Sequence, residues 1–373
     1  MIEGKFGKFG LMLFPCHRIE VLCKAVREGV QRYPFGTISL ADDFLYENTF
    51  VALTRLAMEN QVTVGTLIAH PFARNILELA SAYASLSEIC DSPLLVGIAS
   101  GGALQDRFIH RLNKPEPIVR ETATLLRLLF AGQSACLGNF PVLSQLQDLK
   151  PVDVRLEFPP QRELPICIGA GGPRMARLAG ELGNGVIFSD ASPVASVFGM
   201  QKGLFANTMK FLDQGRSRSN VPGRFEKIWL TTFSINENED LAIRQAKRSL
   251  SYKLSEYWYD IETFKKSTGF TLADLDLDPK VRAAIQEIKT AFYDKGKRID
   301  EVADLLPDEV VHQGLFTIAG TPDQCRDRYK FALEIASQYG FSHYIATFTE
   351  GSDPVTSVSL LAEKVLPHVD SLV

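Results

Sequence analysis

Short apolar runs and amphipathic stretches alternate along this chain with little interruption. The runs at 9–14, 37–41, 62–68, 94–98, 166–168, 186–188, 227–235 and 344–348 are near-continuous, the first stopped by Pro15, the second by Asp42 and the fifth by Gly169, which is how strands buried on both faces read. Between them, apolar residues recur three and four apart. Ile19, Leu22, Ala25, Val26 and Val30 mark one helix, Phe50, Leu53, Leu56 and Ala57 a second, and Ile76, Leu79, Ala80, Tyr83 and Leu86 a third. Further helices are expected over 117–130, 175–182, 194–212, 321–339 and 358–365, with Thr321 as an N-cap ahead of Pro322. Two stretches break the rhythm: 132–162, which reads as an inserted excursion with room for a hairpin, and 239–311, which reads as largely helical. Eight strands, each followed by helix, predict one closed (β/α)8 TIM barrel over 1–373 rather than an open sheet.

Composition narrows the function classes. Hydrophobic residues are 46% of the chain, charged residues 23%, and the net charge is −4, so no basic excess invites a nucleic-acid ligand. No apolar run reaches membrane-spanning length and the first residues lack a signal-length apolar core, so a cytoplasmic protein acting on a small molecule is expected. The six cysteines form no C-x-x-C pair, and Cys16, His17 and Cys23 lack the spacing of a zinc site, so no metal is expected.

In a barrel of this kind, chemistry sits at the C-terminal ends of the strands. The stretch at 165–189 is one βαβ unit whose turn contains Gly169, Gly171 and Gly172, with Pro173 at the first helical position. Free backbone N–H groups at a helix N-terminus make an anion site, although such a turn also serves as a plain tight connection. It is neither a P-loop nor a dinucleotide fingerprint. Asp42 and Asp43 close the second strand, where alternation turns one carboxylate inward and the other outward, as a cap and a solvated charge or as a cofactor contact and a proton carrier. His70, before Pro71, reads as a structural hydrogen-bonder or a base. No Ser or Cys lies in a nucleophile elbow. A mouth with an anion cradle, carboxylates and no strong nucleophile points to a bound cofactor that carries the difficult chemistry.

Several of these segments resemble the luciferase-like flavin and deazaflavin oxidoreductases, and within them the coenzyme F-420-dependent methylenetetrahydromethanopterin reductases. The segments are 10–15 (GLMLFP), Asp42 with Asn48-Thr49-Phe50, 64–71 (VGTLIAHP), 97–102 (GIASGG), 165–175 (PICIGAGGPRM) with 178–186, and 318–323 (IAGTPD). The resemblance implies that Asp42 contacts a deazaflavin ring. It also implies that Leu67 and Ile68 form a non-proline cis peptide behind the ring, that Gln105 supplies an amide to the cofactor, and that Ala170, Gly171, Gly172 and Pro173 hold its phosphate. The excursions are then expected to shape a pterin site and the contacts of a homodimer or homotetramer. There are departures. Asp43 stands where many deazaflavin relatives have histidine, Met12 where the reductase has glutamate, and Gly102 where a sugar-phosphate-oxidising relative has an acid. The resemblance thus implies F-420-dependent hydride transfer to or from a C1-carrying pterin or similar small substrate, with Asp43 as the replacement proton-transfer or orienting group. An FMN-dependent monooxygenase and a cofactor-binding subunit without turnover are the alternatives.

Overall fold

The structure is a computed structural model that describes residues 8–43, 46–72, 74–101, 115–259, 279–291, 295, 297–298, 301–312, 317–349 and 351–373. Eight parallel strands close a ring: β1 (Phe9–Leu13), β2 (Thr37–Leu40), β3 (Thr63–Ala69), β4 (Leu94–Ile98), β5 (Ile166–Gly169), β6 (Gly185–Ser189), β7 (Glu226–Ile235) and β8 (His343–Phe348). Each pairs with its neighbours in sequence, β6 pairs β7, and β8 pairs β1, so the ring has no free edge. The expected barrel is therefore the observed one.

Side-chain alternation sorts each strand between two cores. Leu11, Trp229, Phe233, Tyr344 and Ala346 face outward into the layer beneath the helices. Their neighbours Met12, Ile228, Leu230 and Ile345, with Leu67, Leu95, Cys167 and Ile187, form a separate cluster that fills the ring. The fit inside is close: a Cβ on Gly97 would lie 2.2 Å from the Thr66 carbonyl oxygen. The outer layer is made by α1 (Ile19–Arg32), α2 (Thr49–Glu59), α3 (Ile76–Ile89), α4 (Pro115–Phe130), α5 (Pro173–Leu182), α6 (Leu204–Arg216), then α7 (Glu239–Tyr259) and α8 (Pro279–Lys289) of the second excursion, α9 (Pro322–Ser337) and α10 (Pro354–Leu360).

Three expectations need correction. The helix expected over 194–212 is broken, because Gly203 takes a left-handed conformation (φ 74°) between a short helix at Val197–Gln201 and α6. The closing helix starts earlier, at Pro354, since Asp353 caps it by accepting from the Val355 and Thr356 N–H groups. Ile318–Gly320, read only as a motif, is a strand that pairs with β7 from Phe233 onward, where β8 leaves that edge. The excursion at 132–162 does contain a small antiparallel pairing, Ala135–Cys136 with Asp153–Val154, followed in space by a helix at Pro141–Gln147. The second excursion has its own apolar cluster, in which Ile243, Ala246, Leu250 and Leu254 of α7 meet Val281, Ile285 and Ile288 of α8.

At the N-terminal end of the ring, buried His343 and half-buried Glu226 meet, Nε2 to Oε2, at 3.0 Å. Burial alone would raise the Glu226 pKa, but hydrogen bonds from His343 and Ser342 outweigh it and hold the group below its ordinary 4.5. A carboxylate depressed in the folded state contributes stability that is complete above its unfolded value and is lost as pH falls through its folded value. Glu226→Gln is expected to cost about 1–3 kcal/mol at neutral pH, read by urea unfolding. That cost should shrink as pH falls below 4.5; a cost independent of pH would show that the pair is not the source.

Candidate active site

At the C-terminal end of the ring, six of the eight ladders are each continued by one more backbone hydrogen bond. Ala41 N–H donates to Leu13, Asp42 to Ile68, Ala99 to Ala69, Ala170 to Ile187, Asp190 to Leu230 and Thr349 to Phe233, at 2.9–3.2 Å. These residues are thus fixed by the sheet although they lie beyond it, which places a rim of loop residues with strand-like precision.

Between β2 and β4, the rim is shaped by an irregularity. The Leu67–Ile68 peptide is cis, and the β3–β4 register shifts between Thr66 and Ala69. Leu67 turns into the ring's interior cluster while Ile68 stays half-buried at the mouth. A Cβ on Gly169 would lie 2.7 Å from the Ala99 Cβ and 3.7 Å from Ile68 Cγ2. Ile68, Ala99 and Gly169 therefore adjoin across β3, β4 and β5 as a half-buried floor of apolar and small groups.

Asp42 is 4% exposed, and its two oxygens accept from Arg74 Nε and a terminal guanidinium nitrogen at 2.8 and 2.9 Å. Arg74 also stacks its guanidinium 5.0 Å above the Phe50 ring. The loop carrying Arg74 is held in turn by Gln147, whose amide nitrogen donates to the Pro71 and Arg74 carbonyls at 2.7 and 2.9 Å and whose oxygen accepts from Ile76 N–H at 2.8 Å. Glu121 of α4 accepts from Val142 and Leu143 N–H at 3.2 and 2.7 Å and so anchors the helix that carries Gln147. The first excursion thus fixes Asp42 through two intermediaries. Asp43 follows as a half-buried residue, and His70 is buried, its ring tilted against Phe72 at 6.4 Å. Gln105 and Gly102 lie outside the described residues.

Two strands from β3, the glycine turn is open. A Cβ on Gly171 or Gly172 would meet nothing within 4 Å, and among the described residues none accepts a hydrogen bond from either N–H. Gly172 is extended (φ −172°), a conformation any residue adopts, so neither packing nor backbone shape requires glycine there. Pro173 opens α5 directly behind, and Ser192 Oγ fixes the turn by donating to the Gly171 carbonyl at 2.9 Å. The turn thus presents backbone N–H groups with the positive end of α5 behind them, an arrangement that can receive an anion.

On the next wall, between β6 and β7, lies a group that local sequence patterns do not reveal. Asp190 accepts from Thr232 N–H at 2.5 Å and from the Thr232 hydroxyl at 2.8 Å, while Lys253 Nζ donates to Asp190 at 3.3 Å and to Thr232 Oγ1 at 2.8 Å. Thr232 has the same parity on β7 as Ile228 and Leu230, so it continues the ring's interior face toward the mouth. Lys253 arrives from α7, which is tied to the rim at two further points. Ser234 Oγ donates to the Ala242 carbonyl at 2.7 Å, and Gln245 donates to the Gly351 carbonyl at 3.2 Å. Burial pushes the Lys253 pKa down, and the Asp190 carboxylate opposes that shift. Asp190 directly follows β6, but its cation lies 63 residues later on a helix with its own apolar stripe, where no local pattern marks it.

The sequence pattern of the luciferase-like monooxygenases matches residues 28–335. A methylenetetrahydromethanopterin reductase from Archaeoglobus fulgidus is 25% identical over 368 residues, 97% of this chain and 99% of that protein. An F-420-dependent glucose-6-phosphate dehydrogenase from Kribbella flavida is 25% identical over 84% of this chain and 80% of its own length. The crystal structure of the F-420-dependent tetrahydromethanopterin reductase of Methanopyrus kandleri superposes with a TM-score of 0.69 at 19% identity, covering 97% of this chain and 99% of that one. The barrel, its open glycine cradle and a family pattern that spans most of the sequence lead to one conclusion: the chain belongs to the luciferase-like monooxygenase family.

Proposed function

We propose that the protein is a coenzyme F-420-dependent oxidoreductase that moves hydride between the deazaflavin and a C1-carrying pterin or similar small substrate. One observation carries the reading: a small-residue apolar floor (Ile68, Ala99, Gly169) leads directly to an open amide cradle (Gly171, Gly172). A flat aromatic ring with an anionic tail needs both, and the packing of the barrel does not require glycine at 171 or 172. Ala170 to Pro173 hold the phosphate, Leu67 and Ile68 back the ring, and Asp42, made rigid by Arg74, fixes its edge. Gln105 is assigned an amide contact by resemblance alone. Bound there, the deazaflavin supplies two-electron hydride chemistry with little reactivity toward oxygen. The chain supplies alignment and a mouth walled against water. The two sequence relatives, one acting on a pterin and one F-420-dependent by name, favour deazaflavin over FMN. By the same resemblance the protein works in the cytoplasm as a homodimer or homotetramer, in one-carbon metabolism.

Titration with F-420 and, separately, FMN, followed by absorbance and tryptophan fluorescence, tests the cofactor. Micromolar or tighter binding of F-420 alone is expected; preference for FMN moves the protein to the monooxygenases, and binding of neither sinks the proposal. Gly172→Val should fold with an unchanged melting temperature, because its side chain enters open space. The same variant should lose about tenfold or more in F-420 affinity, near 1.4 kcal/mol. Asp43, half-buried beside Asp42, is assigned proton transfer or substrate orientation. Asp43→Asn should keep F-420 affinity and lose about 10²-fold or more in kcat. Full turnover in that variant would remove the assignment.

A further inference from the structure

The β8–β1 side of the mouth has no part in the reading above. A small pocket opens there past the ends of the two strands, and its lining includes Phe14, His17, Phe348, Thr349, Ser352 and Pro354. Phe14 stands one residue past β1 with the parity of Met12, so it points toward the ring's axis. It packs on the interior cluster beside Ala41 and Ile68, stays half-buried, and stacks on no other ring among the described residues. Phe14 thus joins the floor to which Ile68 belongs with the wall of the pocket. The polar edge of the pocket is largely taken. The Thr349 and Ser352 hydroxyls hydrogen-bond each other at 2.8 Å, and Ser352 Oγ donates to Gln245 Oε1 at 3.4 Å. Half-buried His17 makes no hydrogen bond among the described residues. Burial would raise the Asp353 pKa, but hydrogen bonds from Thr356 and Val355 and the charge of His17 hold it down, so a carboxylate lies near the imidazole.

We infer that Phe14 and His17 select the substrate: its flat ring lies over Phe14, and one uncharged polar substituent enters the pocket to hydrogen-bond His17. The inference rests on the proposed function and narrows its substrate class. With phosphate at β5, ring over Ile68, Ala99 and Gly169, and edge at Asp42, the deazaflavin accounts for the arc from β5 to β2. The adjoining arc, β1 and β8, is left to the molecule that exchanges hydride with it. A half-exposed aromatic side chain there suits a flat ring, because offset stacking adds to the gain from burial. The pocket encloses about 20 Å³, room for one group the size of a water molecule and too little for a phosphate. The Asp353 carboxylate also opposes an anion near His17. A neutral imidazole has one donor and one acceptor, so it answers an amino or an oxo group equally. A pterin is a flat ring with both groups on its edge. Glucose 6-phosphate, the substrate named for one relative, has no flat face.

The test uses a tetrahydropterin carrying only a methyl side chain, added to the full chain loaded with F-420. It should bind the wild type and shield His17, but not the exposed His368, from diethylpyrocarbonate, read by peptide mass spectrometry. Glucose 6-phosphate should shield neither histidine. Phe14→Leu and His17→Ala should each weaken the pterin about tenfold, by calorimetry, and leave F-420 affinity within about twofold. A pterin that fails to bind, or that binds while His17 reacts at its free rate, overturns the inference, as do variants that keep full pterin affinity. Variants that lose F-420 instead assign both residues to the cofactor and overturn it too. If Phe14→Leu does not fold, His17→Ala, at the half-exposed edge of the pocket, decides alone. The two claims fail separately. Absence of F-420 binding sinks the proposed function, whereas F-420 binding with an unshielded His17 sinks only this subsite.

Discussion

Closure of an all-parallel ring is the constraint on which the rest depends. Eight strands with no edge leave an interior just wide enough for one set of side chains, here Met12, Leu67, Leu95, Cys167, Ile187, Ile228, Leu230 and Ile345. Because the interior is solid, a ligand can enter only at an end. At the N-terminal end stands the His343–Glu226 pair. At the C-terminal end six of the eight ladders overrun the strands by one hydrogen bond, from Ala41 round to Thr349, and the side chains just past them form the walls of a mouth. Position in the ring therefore decides which residues can act, and the rigidity of the ladder decides how accurately they are placed.

The mouth's charges are handled in two different ways. Asp42 and Asp190 lie past β2 and β6, four strands apart in a ring of eight, and each carries its own cation, Arg74 and Lys253. Buried pairs of this sort contribute little net stability, since desolvation offsets most of the attraction. Their effect is geometric: Arg74 ties the β3 loop to β2, and Lys253 ties α7 to β6 and β7. Each excursion reaches the mouth through one of these pairs, the first by way of Gln147 and the second directly. The extra chain is thus what gives the rim its particular walls on a barrel common to the family.

The barrel was legible because its signals are local. Continuous apolar runs, helical spacing and Gly/Pro punctuation are each written within a dozen residues, and the strand positions followed to within a residue or two. The glycine cradle was legible for the same reason, since Gly171, Gly172 and Pro173 are contiguous. The cis peptide at Leu67–Ile68 was expected from resemblance, because the residue pattern itself carries no mark of it. Whatever depended on distant pairing escaped: Arg74 lies 32 residues from Asp42, Gln147 lies 73 from Arg74, and Lys253 lies 63 from Asp190. The break at Gly203 escaped for a different reason. Apolar spacing runs through it unaltered, and glycine inside a helix costs only about 1 kcal/mol, too little to predict a stop.

A physical order among these features explains why the resemblance is stronger at the cradle than at the proton-transfer positions. An amide cradle acts through backbone N–H groups, so it needs small residues and a helix start, and it tolerates any substrate that shares its cofactor. Proton transfer and substrate selection act through side chains whose type must match the molecule being changed. Here Gly171 and Gly172 stand in open space, where packing does not require them, while Met12 and Asp43 stand where the resemblance leads one to expect glutamate and histidine. With the Arg74 and Lys253 cations each answered by a carboxylate, the cradle's amides and the α5 dipole offer an anion positive charge that neither carboxylate answers.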